Sequence, residues 1–298
     1  MHGISVKQLR YYYALSRLKH FGKAADHCAV TQPALSMQIK DLEEILGLSL
    51  VIRGKSKISL TPDGEEIARR AEKIITDIQD IGSYAKTRAG LLSGIFRLGI
   101  IPTIAPYILP KLLPILSDKY PDLDLKLRET TTSRLKDEIL QGQLDAILVA
   151  LPINHHDLET QALFEDPFFL AINADTSPQT DDVQTLLDQG NLLLLEEGHC
   201  LRDQAVSLCE KVSQENFSQF GATSLKTLME LVSNGQGITL VPKMAAKVEI
   251  PNESNVRLLP FSDPEPTRTI GLVWRKSSPR DKDFKAISKA LEEIGNKI

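Results

Sequence analysis

The chain has 298 residues, 42% of them hydrophobic, with 35 lysines and arginines against 39 acids. That length has room for about two or three domains. No apolar run approaches the roughly 18 residues of a bilayer span, "AILVALPI" being about the longest, and the N-terminus carries no apolar secretory core, so membrane insertion and export are not expected. Three cysteines do not make a disulfide scaffold, and a reducing, cytoplasmic setting follows, in which any disulfide would be transient and chemically meaningful.

Charge is unevenly spread. Residues 1–60 hold nine lysines and arginines against four acids, a net of +5, which leaves −9 on the remaining 238 residues. A basic end on an acidic body suggests a head that meets a polyanion.

In chain order, "SVKQLRYYYALSRLKH" opens with the capping-box pair Ser5 and Gln8, and Leu9, Tyr12, Tyr13, Ser16 and Leu18 trace a helical stripe. "GKAADHCAV" predicts a second short helix. "TQPALSMQIKDLEEILG" predicts a third, with Thr31 as N-cap and Pro33 in the first turn, where its missing N–H costs nothing. Leu35, Ile39, Leu42 and Leu46 give this helix its buried face. Gln32, Ser36, Met37 and Lys40 lie opposite, able to meet base edges. "LVIRGKSKISLT" then reads as two short strands around a turn carrying Arg53, Lys55 and Lys57, cations placed for phosphates. These parts make a winged helix-turn-helix; the competing reading is an ordinary small helical domain.

The words "FGKAADHCAVTQPALSMQIKDLEEILGLSLVIR…LTPDGE" resemble the head of the LysR-type transcriptional regulators over about sixty residues. The residues expected to face promoter DNA are Thr31, Gln32, Pro33, Ser36, Met37, Lys40, Arg53 and Lys55. Two departures stand out. Val51 replaces a common Phe, a core swap, and Met37 replaces a common Arg, which removes a base or phosphate contact.

"TPDGEEIARRAEKIITDIQDIGSYAKTRAG" predicts one long helix. Ile67, Ala71, Ile74, Ile78, Ile81 and Ala85 step by 4, 3, 4, 3 and 4, a coiled-coil seam for a second copy of the chain. Packing on its own domain is the alternative. "RAGLLSG" reads as a hinge.

From Ile95 onward, apolar β-rich runs ("IFRLGII", "LDLKLRE", "LDAILVAL", "PFFLAI", "LLLLEEG", "GITLVP", "VRLLPF", "RTIGLVW") alternate with amphipathic helices such as "YILPKLLPILSDKY", "SRLKDEILQG" and "SLKTLMELVSNG". This is an α/β body, and eight strands over two hundred residues suit two lobes with a cleft between them. It resembles the periplasmic-binding-protein-like regulatory domain of the same family. The expected organisation is α/β overall: a winged helix-turn-helix at 1–60, a dimerisation helix at 61–91, and a two-lobed body at 92–298. The first lobe takes about 92–164 plus 267–298, the second about 165–266.

Several features read as structural. His155 and His156 in "NHHD" are taken as a solvated loop pair lacking a third ligand nearby, so no metal is expected. No cofactor is expected either. Gly235 is a helix C-cap, and Cys28 a packed thiol.

"EEGHCLRDQAVSLCE" holds the other two thiols. If 200–212 is helical, with Leu201, Ala205, Leu208 and Val212 as its apolar stripe, Cys200 and Cys209 stand roughly 13 Å apart along the axis, on opposite faces. A disulfide wants Cα atoms about 5.5–6 Å apart, so bonding would remodel the segment. Cys200 opens the helix beside His199 and Arg202, where helix-start amides and nearby cations favour a thiolate. A low-pKa thiol with a distant partner suits peroxide sensing, and two unrelated structural cysteines is the competing reading.

"EEGHCLRDQA" and "ATSL…LV…G.GITL.P" resemble the hydrogen-peroxide-sensing branch of that family. The resemblance implies that Cys200 is peroxidatic and Cys209 resolving. It places peroxide-binding residues at Thr103 in "IIPTIAPYILP", Thr132 in "ETTTSRL", His199, Asp203 and Arg268 in "EPTRTIGLV". It further implies a homodimer or homotetramer on double-stranded promoter DNA, RNA polymerase as a partner, a glutaredoxin- or thioredoxin-type reductant, and no enzyme activity. The rival within the architecture is a regulator answering to a metabolite in the cleft. A thiol peroxidase fits poorly with the basic head. A transporter's substrate-binding component fits poorly with the absent export signal.

Overall fold

The computed structural model describes residues 3–53, 58–87, 90–175, 182–208, 217–250 and 254–298. It divides into two compact units, Met1–Ser83 and Tyr84–Ile298.

The first unit begins with helices α1 (Val6–Leu18), α2 (Phe21–His27) and α3 (Gln32–Leu46). The capping box of α1 forms in full: the Ser5 N–H donates to Gln8 Oε1 at 2.9 Å, and the Gln8 N–H to Ser5 Oγ at 3.2 Å. Its buried face is Leu9, Tyr11, Tyr12, Ala14 and Leu15. Leu18, expected on that stripe, is exposed, because Lys19 turns the chain away in a left-handed conformation at φ 46°. In α3 Leu35, Ile39 and Leu42 are fully buried, and Gly47 ends the helix at φ +66°. Thr31 occupies the N-cap position, but its side chain makes no capping hydrogen bond.

Strands β1 (Val51–Arg53) and β2 (Ile58–Leu60) pair antiparallel as a wing. Glu43 fixes the wing to α3, its Oε1 accepting the N–H groups of Leu50 at 2.7 Å and Val51 at 3.2 Å. Helix α4 (Pro62–Thr87) follows, capped by Thr61 Oγ1, which accepts the Gly64 N–H at 2.9 Å. Gly64 is obligatory: a Cβ there would collide with the Leu50 carbonyl oxygen. The Tyr12 hydroxyl donates to the Gly64 carbonyl at 2.8 Å, and burial, then Glu43 and Glu65, push that phenol above its usual range. Ile67 and Ala71 pack into this core, whereas Ile74, Ile78 and Ile81 stand on the surface, the last 70% exposed.

The second unit runs β3 (Gly94–Ile100), α5 (Ala105–Lys119), β4 (Leu123–Glu129), α6 (Thr132–Leu140), β5 (Ala146–Ala150) and β6 (Leu158–Asn173). Next come α7 (Val183–Gln189), β7 (Leu192–Leu195), α8 (Cys200–Leu208), β8 (Phe217–Ala222), α9 (Leu225–Ser233), β9 (Thr239–Pro242) and α10 (Lys243–Glu249). Strands β10 (Val256–Pro260) and β11 (Thr267–Arg275) and helix α11 (Asp281–Gly295) complete it. One seven-stranded sheet has the order β10-β6-β11-β5-β3-β4, with β9 also on β6. The β3 pairings to β4 and β5 are parallel, and those of β11 and β6 are antiparallel. The long β6 pairs β11 along its first part and β10 and β9 along its last, so the lobe boundary expected near 165 falls inside a single strand. Strands β7 and β8 form a separate parallel pair. Gly235 sits at φ +71° just past α9, the C-terminal glycine the sequence suggests.

Candidate functional site

On the first unit, Gln32, Pro33, Met37 and Lys40 are exposed and Ser36 is half-buried. At 100° per residue these five positions span an arc of about 140°, facing away from Leu35, Ile39 and Leu42. Met37 is 64% exposed, an apolar side chain in the middle of a polar face. Lys40 lies 3.4 Å from Glu44, a solvent-exposed pair that leaves the cation accessible. The wing turn, with Lys55 and Lys57, and the side chain of Arg53 lie outside the described residues.

In the second unit, β7 ends at Leu195 and the turn 196–199 leads into α8, whose first residue is Cys200. Gly198 makes that turn possible at φ +92°, a backbone region that side-chain-bearing residues rarely adopt. Built there, a Cβ would meet Thr131 Cγ2 at 3.6 Å, so the approach to Cys200 lies against the N-cap of α6. Cys200 is a free thiol, half-buried and packed on the apolar core, while Leu201 and Ala205 are fully buried behind it. Arg202 donates from Nη1 to the Leu195 carbonyl at 3.0 Å, which ties the start of α8 to the end of β7. His199 is half-buried and Asp203 exposed. Leu208, expected on the apolar stripe, is exposed, and Val212 and Cys209 lie outside the described residues.

Two buried polar atoms in this region have no hydrogen-bond partner among the described residues: Thr132 Oγ1 and Gln204 Oε1. Thr132 opens α6 immediately after the Thr131 that faces Gly198. Gln204 lies one turn along α8 from Cys200. Buried polar atoms without partners mark places where a small polar molecule can bind.

Arg268 and Thr103, two of the predicted site residues, meet each other. Arg268 of β11 donates from Nη1 to Thr103 Oγ1 at 3.1 Å and from Nη2 to the Thr103 carbonyl at 3.0 Å. Its Nε and Nη2 both reach Asp166 Oδ2 of β6, at 3.0 and 2.9 Å. Asp166 Oδ1 accepts the Met244 N–H of α10 at 2.9 Å. The guanidinium is completely buried. Burial raises the Asp166 carboxyl above its usual range, opposed by Arg268 and by the Met244 N–H. A second strut joins α5 to α10, with the Tyr107 hydroxyl donating to Glu249 Oε1 at 2.7 Å.

Sequence reasoning missed Asp166, the residue that orients Arg268. A carboxylate directly beside the apolar run "PFFLAI" is the signal that could have found it. It also missed Asp157, which follows His155 and His156 directly and brings its carboxylate to their rings. Among the described residues, no helix is long and apolar enough to cross a membrane.

A winged helix-turn-helix head, a long helix and an α/β body with a half-buried thiol at a helix start are the parts of a DNA-binding transcriptional regulator. Residues 6–65 match the bacterial regulatory helix-turn-helix protein, lysR family, and residues 89–295 the LysR substrate binding domain. The DNA-binding transcriptional dual regulator OxyR of Escherichia coli K12 is 36% identical over 97% of this chain and 95% of its own length. Two solved structures are similar. A full-length OxyR variant from Pseudomonas aeruginosa has a TM-score of 0.74 at 34% identity, over 98% of this chain and 95% of that one. A hydrogen-peroxide-bound OxyR mutant from Corynebacterium glutamicum has a TM-score of 0.67 at 33% identity, over 99% and 94%. The chain belongs to the LysR family of bacterial transcriptional regulators, in its OxyR branch.

Proposed function

We propose that this regulator responds to hydrogen peroxide through Cys200 and Cys209. The observation that carries the proposal is a half-buried free thiol at the first position of α8, entered through the Gly198 turn, which faces Thr131, the neighbour in sequence of a Thr132 whose buried hydroxyl bonds to no described residue. The Cys200 thiolate attacks one peroxide oxygen and the O–O bond breaks. This leaves a sulfenic acid and releases hydroxide, which becomes water on protonation. The Cys209 thiol then condenses with that sulfenic acid, forming the disulfide and a second water. Thr132 and His199 orient the peroxide. Arg268, held by Asp166, and Thr103 form the electropositive wall, and Asp203 lies at the solvent edge.

The same geometry couples chemistry to shape. Leu208 lies about 12 Å along the axis from Cys200, and one further peptide unit spans about 3.8 Å. A disulfide needs Cα atoms within about 7 Å, so its formation unwinds part of α8. Ile74, Ile78 and Ile81 offer a seam to a second copy, which sets two heads on a near-palindromic promoter. Recruitment of RNA polymerase, reduction by a glutaredoxin- or thioredoxin-type thiol, and a cytoplasmic setting complete the proposal.

The test is mass spectrometry of the intact chain after one equivalent of hydrogen peroxide, with peptide mapping. The expected result is a fast Cys200–Cys209 disulfide, lost in Cys200→Ser. A Cys200 that stays reduced while free cysteine in solution reacts as readily overturns it, and a metabolite-responsive cleft becomes the reading.

A further inference from the structure

The loop between β5 and β6 carries three donors that the peroxide chemistry does not use. His155, His156 and Asp157 bring one ligand atom each within 4.8 Å of one another. His156 Nε2 is 3.0 Å from Asp157 Oδ2, and His155 Nδ1 is 4.0 Å from the same oxygen. The two imidazoles stack at 4.5 Å between centroids with 25° between their planes. We propose that His155, His156 and Asp157 form a surface binding site for a divalent transition metal of the zinc, nickel or copper type.

Three features support it. The donors lie close together: the three ligand atoms are within 4.8 Å of one another, against about 3.3 Å between neighbouring donors in a tetrahedral site with bonds of about 2.0–2.1 Å, and the two stacked rings turn apart to converge on one cation. The loop is held rather than loose. Leu158 donates its N–H to the His155 carbonyl at 3.2 Å, Lys276 its N–H to the Asp157 carbonyl at 2.9 Å, and Lys136 Nζ its proton to the Asn154 carbonyl at 3.3 Å. The His155 side chain is only 25% exposed, which restricts its rotamers, while that of His156 is 80% exposed and leaves a coordination position open to water. A shared proton can join Asp157 to one imidazole at a time, whereas a divalent cation satisfies all three donors together. Binding displaces the bond from the Asp157 N–H to His155 Nδ1, at 3.2 Å a long one.

Two imidazoles and a single carboxylate select the metal class. Borderline-soft cations take nitrogen donors, in the order that places copper above nickel and zinc, while calcium and magnesium need more oxygen ligands than this loop supplies. The site is separate from the Arg268–Asp166 contact. Eight residues of β6, roughly 26 Å of strand, separate Leu158 from Asp166.

The experiment is titration of the reduced full-length chain with Zn²⁺ and, separately, Ni²⁺, counting equivalents against a chromophoric indicator. It is done for the wild type, His156→Ala and Asp157→Asn. Thiol-bound metal is common to all three and cancels. The expected result is one more equivalent in the wild type than in either variant, for both metals, with excess Ca²⁺ or Mg²⁺ failing to displace it. His156 is exposed and Asp157→Asn is nearly isosteric, so the metal-free melting temperatures should agree and exclude misfolding as the cause. Equal stoichiometry in all three proteins overturns the proposal, as does displacement of the extra equivalent by Ca²⁺.

Discussion

Arg268 and Cys200 belong to the same proposed site, yet they are held in opposite ways. Arg268 is completely buried, and β11, β6 and the turn after β3 all share its hydrogen bonds. Cys200 is half-buried on a nine-residue helix, behind a left-handed glycine and one turn from a glutamine oxygen that bonds to no described residue. A satisfied polar network in a low-dielectric setting resists rearrangement, whereas a short helix with orphan polar atoms sits at the low-stability end of a fold. The division suits the proposed switch, in which the fixed network would be the wall that orients a peroxide and the thiol-bearing segment the part cheap enough to remodel.

The largest effect should come from breaking the fixed side. Arg268→Met leaves Asp166 as a buried charge without its partner, a loss of about 3–5 kcal/mol. For a domain of this size that is a fall in melting temperature of roughly 6–20 °C, read by thermal unfolding. Its pH dependence carries a sign. Burial already raises the Asp166 carboxyl, and removing Arg268 deletes the largest opposing influence, so the folded state of the variant holds that proton still more tightly than the unfolded chain. The variant should therefore be least destabilised near the unfolded carboxyl value of about 3.9 and lose stability as pH rises toward the raised folded value. A penalty that is constant from pH 4.5 to 7.5 would mean that Asp166 is not the group left stranded.

The fixed side was also the part least legible in the sequence. Arg268 and Thr103 are 165 positions apart and Arg268 and Asp166 are 102 apart, so no local spacing announces that they meet. The head was readable because its signals are local: the Ser5–Gln8 cap, the Leu35, Ile39 and Leu42 face, and the Gly47 stop all lie within one helix of the features they determine. Two sheet segments hid for a chemical reason. The first part of β6 alternates Glu159, Gln161 and Glu165 with less polar residues, and β8 reads "FSQFGA", so neither shows the continuous apolar run that marks a buried strand. At the thiol site the start of α8 was legible from "GHCLRDQA". The partner of Thr132 was not, because the sequence lists hydroxyls without saying which remain unbonded.

A smaller effect should follow from stiffening the turn before the thiol. Gly198→Ala places a side chain at φ +92° and should cost about 1–2 kcal/mol of stability from backbone strain. The nearest neighbour of the new Cβ is Thr131 Cγ2 at 3.6 Å, an ordinary contact, so collision adds little. Denaturant unfolding measures the loss. An unchanged midpoint would show that the turn relaxes freely around a side chain and that glycine is not required there.

Thr132→Val should be the quietest change to the fold and the sharpest test of the comparison. The hydroxyl bonds to no described residue, so deleting it removes no contact and spares the desolvation of an unpaired group. The variant should unfold within about 0.5 kcal/mol of the wild type, or slightly above it. If that hydroxyl is kept unbonded to receive a peroxide oxygen, the rate of Cys200 oxidation, followed by rapid-mixing spectroscopy, should nevertheless fall while stability does not. A loss of stability with an unchanged oxidation rate would make Thr132 part of the fixed wall, bonded through water to its surroundings. The line between the held and the reactive halves of the site would then move to the far side of α6.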